Sequence, residues 1–146
     1  MDVPLPLADL GFRVVNRFHR AVLALSGGRV LGTVAGMPVV ELRTTGRTSG
    51  QPRRTMLTAP VADAGRVVLV ASKGGDDRDP DWYRNLVADP DVEITIAGRR
   101  RLMRARTASP EEKAELWPRI LSANPGYGGY QEKTRREIPV IICAPR

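Results

Sequence analysis

Tight turns rather than helices join most of the strand-like runs in this chain, which restricts the fold to sheets whose neighbouring strands run antiparallel. Residues 39–44 read as a strand, and residues 46–50 turn the chain into a second strand over 53–61. Asp63, Ala64 and Gly65 form a hairpin turn into a third strand, 66–72, with the apolar run Val67-Val68-Leu69-Val70-Ala71. Residues 91–97 and 101–107 meet across Gly98, and 138–143 closes the chain as a strand. About six short, mostly antiparallel strands have to protect their edges, and closing the sheet is the simplest way. The expected class is therefore mainly β, or α+β: a closed or partly closed barrel with peripheral helices.

Helical signals lie around these strands. Leu10, Val14, Phe18, Val22 and Leu25 recur at helical spacing over residues 9–25, with Arg13, Arg17 and Arg20 on another face and Gly27 and Gly28 as the stop. Residues 80–88 read as a short helix with Pro80 in its first turn. Ser109-Pro110-Glu111-Glu112 is a capping box that starts a third helix, which Pro118 is expected to bend or end. The 146 residues fit one domain, with an amphipathic helix within 1–28 and the barrel over 37–146. The N-terminus has no basic head followed by an apolar stretch, so no signal peptide is expected.

The formal charge of +7 comes mainly from 20 Arg against 3 Lys. Arginine presents a planar fork of donors suited to phosphate and carboxylate. Charge alone would also admit nucleic acid, but interleaved exposed aromatics and a recognised module are missing, so no nucleic-acid partner is expected. The chain has one histidine, His19, and one cysteine, Cys143. No internal disulfide, zinc site or Ser–His–Asp triad can be built from them. A reducing cytoplasm is the simplest setting. A borrowed organic cofactor is then the natural source of chemistry.

Four segments could serve one. Residues 43–54 carry Arg43, Arg47, Arg53 and Arg54, two glycines, the hydroxyls of Thr44, Thr45, Thr48 and Ser49, and no acid. That is donor chemistry for a phosphate or polycarboxylate, although neither GxxxxGK[ST] nor GxGxxG is present. Val70-Ala71-Ser72-Lys73-Gly74-Gly75 ends a buried-looking strand, where a barrel presents groups to a pocket mouth. Trp82 and Asn85 share a helical face and suit a planar heterocycle, or simply the core. Tyr127 and Tyr130 lie in the glycine-rich stretch 124–131, where tight packing is not expected to hide them. A second basic cluster, Arg99, Arg100, Arg101, Arg104 and Arg106, reads as a solvated strand face, with acidic lipid or nucleic acid as the alternative contacts.

From Val39 to the C-terminus the chain resembles the deazaflavin-dependent nitroreductases of actinobacteria, which use coenzyme F420. The carrying motifs are TTGRTSGQPR, VASKGG, DPDWYRNLVADPDVEI, the EEKAELWP helix, the paired tyrosines and IPVIICAP, in matching order and spacing. The resemblance implies a split β-barrel and an F420H2-dependent reductase that passes a hydride to a quinone or another electron-poor acceptor. It implies that Arg47, Ser49 and Arg53, with Thr48 and Arg54 beside them, hold the phosphate and oligoglutamate tail. Backbone at Thr55, Met56 and Leu57 would border the ring, and Val70, Ala71, Ser72, Lys73, Trp82 and Asn85 would complete its pocket. Ser72, Tyr127 and Tyr130 match acceptor-side groups. Three departures stand out: Asn124 replaces a first tyrosine of the nitroimidazole-activating members, Thr48 replaces a lysine, and Arg54-Thr55-Met56 replaces Val-Asn-Pro. An FMN enzyme on the same barrel and a non-catalytic F420 carrier are the competing readings. The basic N-terminal helix would suit either contact with an anionic membrane at the inner face of the plasma membrane or docking on the barrel. Monomer and homodimer are both open.

Overall fold

The computed structural model describes residues 33–34, 36–63 and 65–146. The helix expected over 9–25, His19 and the turn residue Ala64 lie outside them. In chain order the elements are β1 (Thr33–Val34), β2 (Met37–Thr45), β3 (Pro52–Thr58), β4 (Val61–Asp63), β5 (Arg66–Val70), a 3-10 turn (Lys73–Gly75), α1 (Asp81–Ala88), β6 (Asp91–Ile96), β7 (Arg99–Thr107), α2 (Pro110–Ala123), α3 (Gly126–Glu132) and β8 (Val140–Pro145). Every strand pairing is antiparallel.

The strand expected over 53–61 is present but bent. Its first part, β3, pairs with β2, and the Ala59 N–H still donates to the Pro38 carbonyl at 3.0 Å. Pro60 has no N–H and cannot continue that ladder. Beyond it, β4 pairs with β5 instead. The sheet order β1-β2-β6-β7-β8-β5-β4, with β3 on the other side of β2, therefore returns to its start through one kinked strand. Counting β3–β4 as one strand, six strands enclose the interior and the two-residue β1 is an addition. This is the mainly β barrel expected from the hairpins and the split barrel that the resemblance implied.

Alternation along each strand fills that interior. Val40 and Leu42 from β2, Val92 and Ile94 from β6, Met103 and Ala105 from β7, Ile141 and Cys143 from β8, and Val67 and Leu69 from β5 form one buried cluster. Helix α1 adds Trp82 and Leu86 to it. The opposite faces of β5 and β8 are buried too, because Val68, Val70, Val140 and Ile142 pack with Leu116 and Ile120 of α2 and Tyr127 of α3. Burial on both faces is why these two strands read as continuous apolar runs rather than as alternating ones.

One expectation is corrected and another narrowed. Of the two outcomes expected at Pro118, ending the helix does not occur, since α2 runs through it to Ala123. Pro118 and Ala114, whose carbonyl loses its usual partner, are both on the exposed side of the helix, while Leu116 and Ile120 anchor it in the core. The glycine-rich stretch is a short helix, α3, and it buries Tyr127 rather than exposing it. Asn124 Oδ1 accepts the Gly126 N–H at 2.9 Å at the start of that helix. The capping box is as expected: Ser109 Oγ accepts the Glu112 N–H at 3.1 Å and Glu112 Oε1 accepts the Ser109 N–H at 3.0 Å. No helix among the described residues is long and apolar enough to cross a membrane.

Leu69, fully buried in the barrel, is expected to destabilise the fold by about 2–5 kcal/mol when truncated to alanine, read as a drop in urea midpoint. Glu112 gives a pH test. Its hydrogen bonds from Arg106, then from the Ser109 N–H, hold the carboxyl down at about 2 from an ordinary 4.5. A carboxylate with a lowered folded-state pKa stabilises above its unfolded value and loses that contribution as the pH falls toward the folded one. Glu112→Gln is therefore expected to lower Tm at pH 7, with the difference from wild type closing between pH 4.5 and about 2 in thermal melts.

Candidate functional site

The turn between β2 and β3 is built around Gly46. Its N–H donates to the Gln51 carbonyl at 2.8 Å, and its carbonyl accepts the Gly50 N–H at 2.8 Å. Ser49 Oγ accepts from the Gln51 N–H at 3.1 Å and from Arg53 Nη2 at 3.2 Å. A Cβ on Gly46 would sit 2.6 Å from Ser49 Oγ and 3.4 Å from Arg53 Nε, so only glycine lets this small polar cradle close. Among the described residues, no protein group accepts from the N–H of Thr48 or Ser49, and both residues are exposed.

Arg47 is tied down from the barrel side. Its backbone N–H and its Nη1 both donate to Asn85 Oδ1, at 3.2 and 2.8 Å, and its Nη2 reaches Asp81 Oδ1 at 3.2 Å. Asn85 Nδ2 donates to Thr44 Oγ1 at 3.3 Å. The buried Asn85 carboxamide thus fastens the turn to α1, and Trp82, on the same helix face, is packed into the barrel interior.

Strand register sorts the remaining arginines. Arg53 lies opposite Thr44, on the inward phase of β2, with Thr55 opposite Leu42 and Leu57 opposite Val40. Arg54 and Met56 fall on the outward phase, opposite Arg43 and Glu41. Arg54 faces Glu41 at 3.8 Å, and Arg43 faces Glu93 at 3.6 Å. The cluster on β7 is similarly matched, Arg100 with Glu93, Arg104 with Asp91 and Arg106 with Glu112. Of the four arginines in residues 43–54, the structure brings only Arg47 and Arg53 to the turn. A cleft of about 290 Å³ beside it, lined by Arg43, Thr45, Asp89, Asp91, Glu93 and Arg146, mixes acids with bases and does not suit a polyanion.

The second group sits where β5 ends. The Ala71 N–H donates to the Pro139 carbonyl at 2.9 Å, and Ser72 is buried at the start of the 3-10 turn. Lys73, at φ 45°, adopts a left-handed conformation that few non-glycine residues take. Gly75 packs so closely on α3 that a Cβ would lie 2.9 Å from the Tyr130 carbonyl oxygen. On α3, the Tyr127 hydroxyl shares a hydrogen bond with Thr58 Oγ1 of β3 at 3.1 Å. The Tyr127 and Tyr130 rings meet edge to face at 6.1 Å. Burial pushes the Tyr127 phenol above its ordinary value, partly opposed by the Thr58 bond, so it is protonated at neutral pH and able to donate.

Arg136 was not visible as a site residue from the sequence. It donates Nε to the Asp76 carbonyl at 2.8 Å, Nη1 to Asp79 at 3.0 Å, and Nη2 to the Ser72 and Ala71 carbonyls at 2.9 and 3.1 Å. Thr58, which meets Tyr127, was missed as well. Nothing local marks Arg136 off from Arg135 beside it. Other chemistry is absent from the described residues: no group of His, Cys, Asp or Glu could hold a metal, and burial pushes the Cys143 thiol up to about 12.

A model of the F420H(2)-dependent quinone reductase family matches residues 14–145. The chain belongs to that family. An F420H(2)-dependent quinone reductase of Mycobacterium tuberculosis is 40% identical to it over 134 residues, 89% of each chain. A solved F420-H2 dependent reductase, FDR-A, superposes with a TM-score of 0.67 at 39% identity, covering 73% of this chain and 93% of the other. A structure described as a domain-swapped dimer gives a TM-score of 0.67 at 35% identity over 86% of this chain and 98% of its own. In this member of the quinone reductase family, Asn124, where the nitroimidazole-activating relatives are expected to carry tyrosine, is engaged in the start of α3.

Replacing Asn85 with alanine leaves the Arg47 N–H and Thr44 without that partner. A loss of about 1–3 kcal/mol is expected in urea unfolding.

Proposed function

We propose that this protein is an F420H2-dependent quinone reductase that uses the turn 46–50 to hold the phosphate and oligoglutamate tail of its cofactor. The observation that carries the reading is the donor set of that turn in a chain of this family. Arg47 and Arg53 supply charge, Ser49 a hydroxyl, and Thr48 and Ser49 two N–H groups without protein acceptors among the described residues. This is the complement a phosphate needs, and no carboxylate belongs to the turn itself. Arg54 contributes only longer-range charge, from the outer face.

When bound, F420H2 supplies the hydride. Backbone at Thr55, Met56 and Leu57 would border the ring, and Val70, Ala71, Ser72, Lys73, Trp82 and Asn85 would complete its pocket. Asn85 acts there through Arg47, and Trp82 through the interior packing that seats α1. Reduction of a quinone to its hydroquinone takes one hydride and one proton, and charge develops on a quinone oxygen. Ser72 and Tyr130 stand on the two sides of the Gly75 contact and serve as donors to that oxygen. Tyr127 is protonated but engaged with Thr58, so it donates to the acceptor by exchanging that partner. No strong general base is needed, because positioning and hydrogen bonding carry the reaction.

We place the enzyme in the cytoplasm and assign the basic segment 9–25 to contact with an anionic membrane surface, where lipid-soluble quinones reside. Liposome co-sedimentation tests this, and unchanged binding after removal of residues 1–28 would end the assignment.

Tryptophan quenching on titration with oxidised F420, with FMN in parallel, tests the cofactor. Saturable F420 binding is expected, weakened by about tenfold or more in Arg47→Ala and Arg53→Ala, since charge-assisted hydrogen bonds are each worth about 1.5–3 kcal/mol. Preference for FMN would overturn the cofactor assignment. Binding without single-turnover oxidation of F420H2 by menadione would leave a carrier.

A further inference from the structure

We infer that Arg136 is the positioning residue of the acceptor side: its guanidinium sets where Ser72 and Lys73 stand relative to Tyr130. The inference rests on the quinone reductase reading for its kinetic consequence, but its structural basis is independent of that reading. Residues 71–79 follow β5 without regular sheet pairing and pass through three left-handed residues, Lys73 at φ 45°, Gly74 at 64° and Gly75 at 87°. Such a segment needs external restraint to hold one shape. Arg136 supplies it from a position 64 residues away from Ser72 in sequence. One planar group spans the carbonyls of Ala71, Ser72 and Asp76 and the carboxylate of Asp79, so both ends of the segment are referred to one rigid fork.

The restraint is continuous with the tyrosine helix. Gln131, the residue after Tyr130, donates its Nε2 to the Arg136 carbonyl at 2.8 Å. Thr134 Oγ1 donates to Asp77 at 2.8 Å. Gly75 fits beneath the Tyr130 carbonyl with no room for a side chain. The Arg136 side chain is only 15% exposed, with Asp79 as its sole ion-pair partner among the described residues, so its other donors are committed to backbone. A misplacement of about 1 Å at a reacting group costs on the order of a hundredfold in rate, so a residue that fixes the Ser72 turn controls turnover without touching the substrate.

The test uses the full chain with Arg136→Gln, Arg136→Lys and Arg136→Gly, read by four measurements: Tm, F420 Kd, kcat and KM for menadione, and amide exchange. In Arg136→Gln, kcat is expected to fall about tenfold or more and further than F420 affinity, because Arg136 contacts the Ala71–Ser72 end of the ring pocket but not the phosphate turn, which keeps its own donors. Arg136→Lys retains the charge opposite Asp79 but cannot bridge the carbonyls, so it is expected to share the kcat defect. Added guanidinium is expected to restore part of kcat in Arg136→Gly. Hydrogen exchange is expected to rise selectively over residues 71–79, a readout that does not depend on the cofactor.

Wild-type kcat in Arg136→Gln would overturn the inference. So would parallel losses of kcat, F420 affinity and Tm without guanidinium rescue, or unchanged exchange over 71–79. If Arg136→Gln does not fold, Arg136→Lys carries the same decision. A wild-type protein that neither binds F420 nor reduces menadione would overturn the quinone reductase reading instead, while the exchange result would still decide whether Arg136 holds the turn.

Discussion

The bend after Ala59 lets one stretch of chain pair with β2 through β3 and with β5 through β4. Without it the sheet would have two open edges, each a row of unpaired backbone groups. With it, ten inward side chains from five strands converge on a single interior that α1 completes with Trp82 and Leu86. The strand before the bend, β3, begins at the polar turn with Arg53 and ends with Thr58 against the tyrosine helix. The polar turn and the tyrosine helix are thus joined through one strand of the closed barrel.

The two halves are held by different physics. Residues 47–50 of the polar turn are exposed, and the N–H groups of Thr48 and Ser49 have no protein acceptor among the described residues, within a frame set by Gly46 and by Asn85. That arrangement leaves two N–H groups open on the surface, while Gly46 and Asn85, which fix the turn, are buried. The Ser72 turn is instead packed against α3 through Gly75, with the Ala71 and Ser72 carbonyls accepting from Arg136. Buried carbonyls in an irregular segment cost free energy unless paired, and a guanidinium pairs several at once.

Arginine abundance is a poor guide to this division of labour. Arg43, Arg54, Arg100 and Arg104 face carboxylates on the outer surface, where exposed pairs contribute little to stability. Arg47, Arg53 and Arg136 differ in partners rather than in local sequence: a carboxamide, a hydroxyl and a set of backbone carbonyls. Distinguishing them required the partner, and each partner is supplied by the fold.

The sequence by itself determined the features that arise between near neighbours. Hairpin turns set the antiparallel pairing, apolar runs marked the strands buried on both faces, Ser109 and Glu112 announced the start of α2, and the 46–50 turn displayed its glycines, hydroxyls and arginines. Tertiary structure alone decided the rest. Whether the 53–61 strand ran straight depended on which strands lay on either side of Pro60. Pro118 was tolerated because Ala114 faces water and Leu116 and Ile120 face the core. Tyr127 was buried because a glycine-rich segment became a helix laid against the barrel. Asn85 captured Arg47 across 38 residues and Arg136 reached Ser72 across 64, and neither contact has a local signature. Local propensity reports what a residue can do within a few positions along the chain, whereas these contacts exist only once closure of the barrel has brought distant segments together.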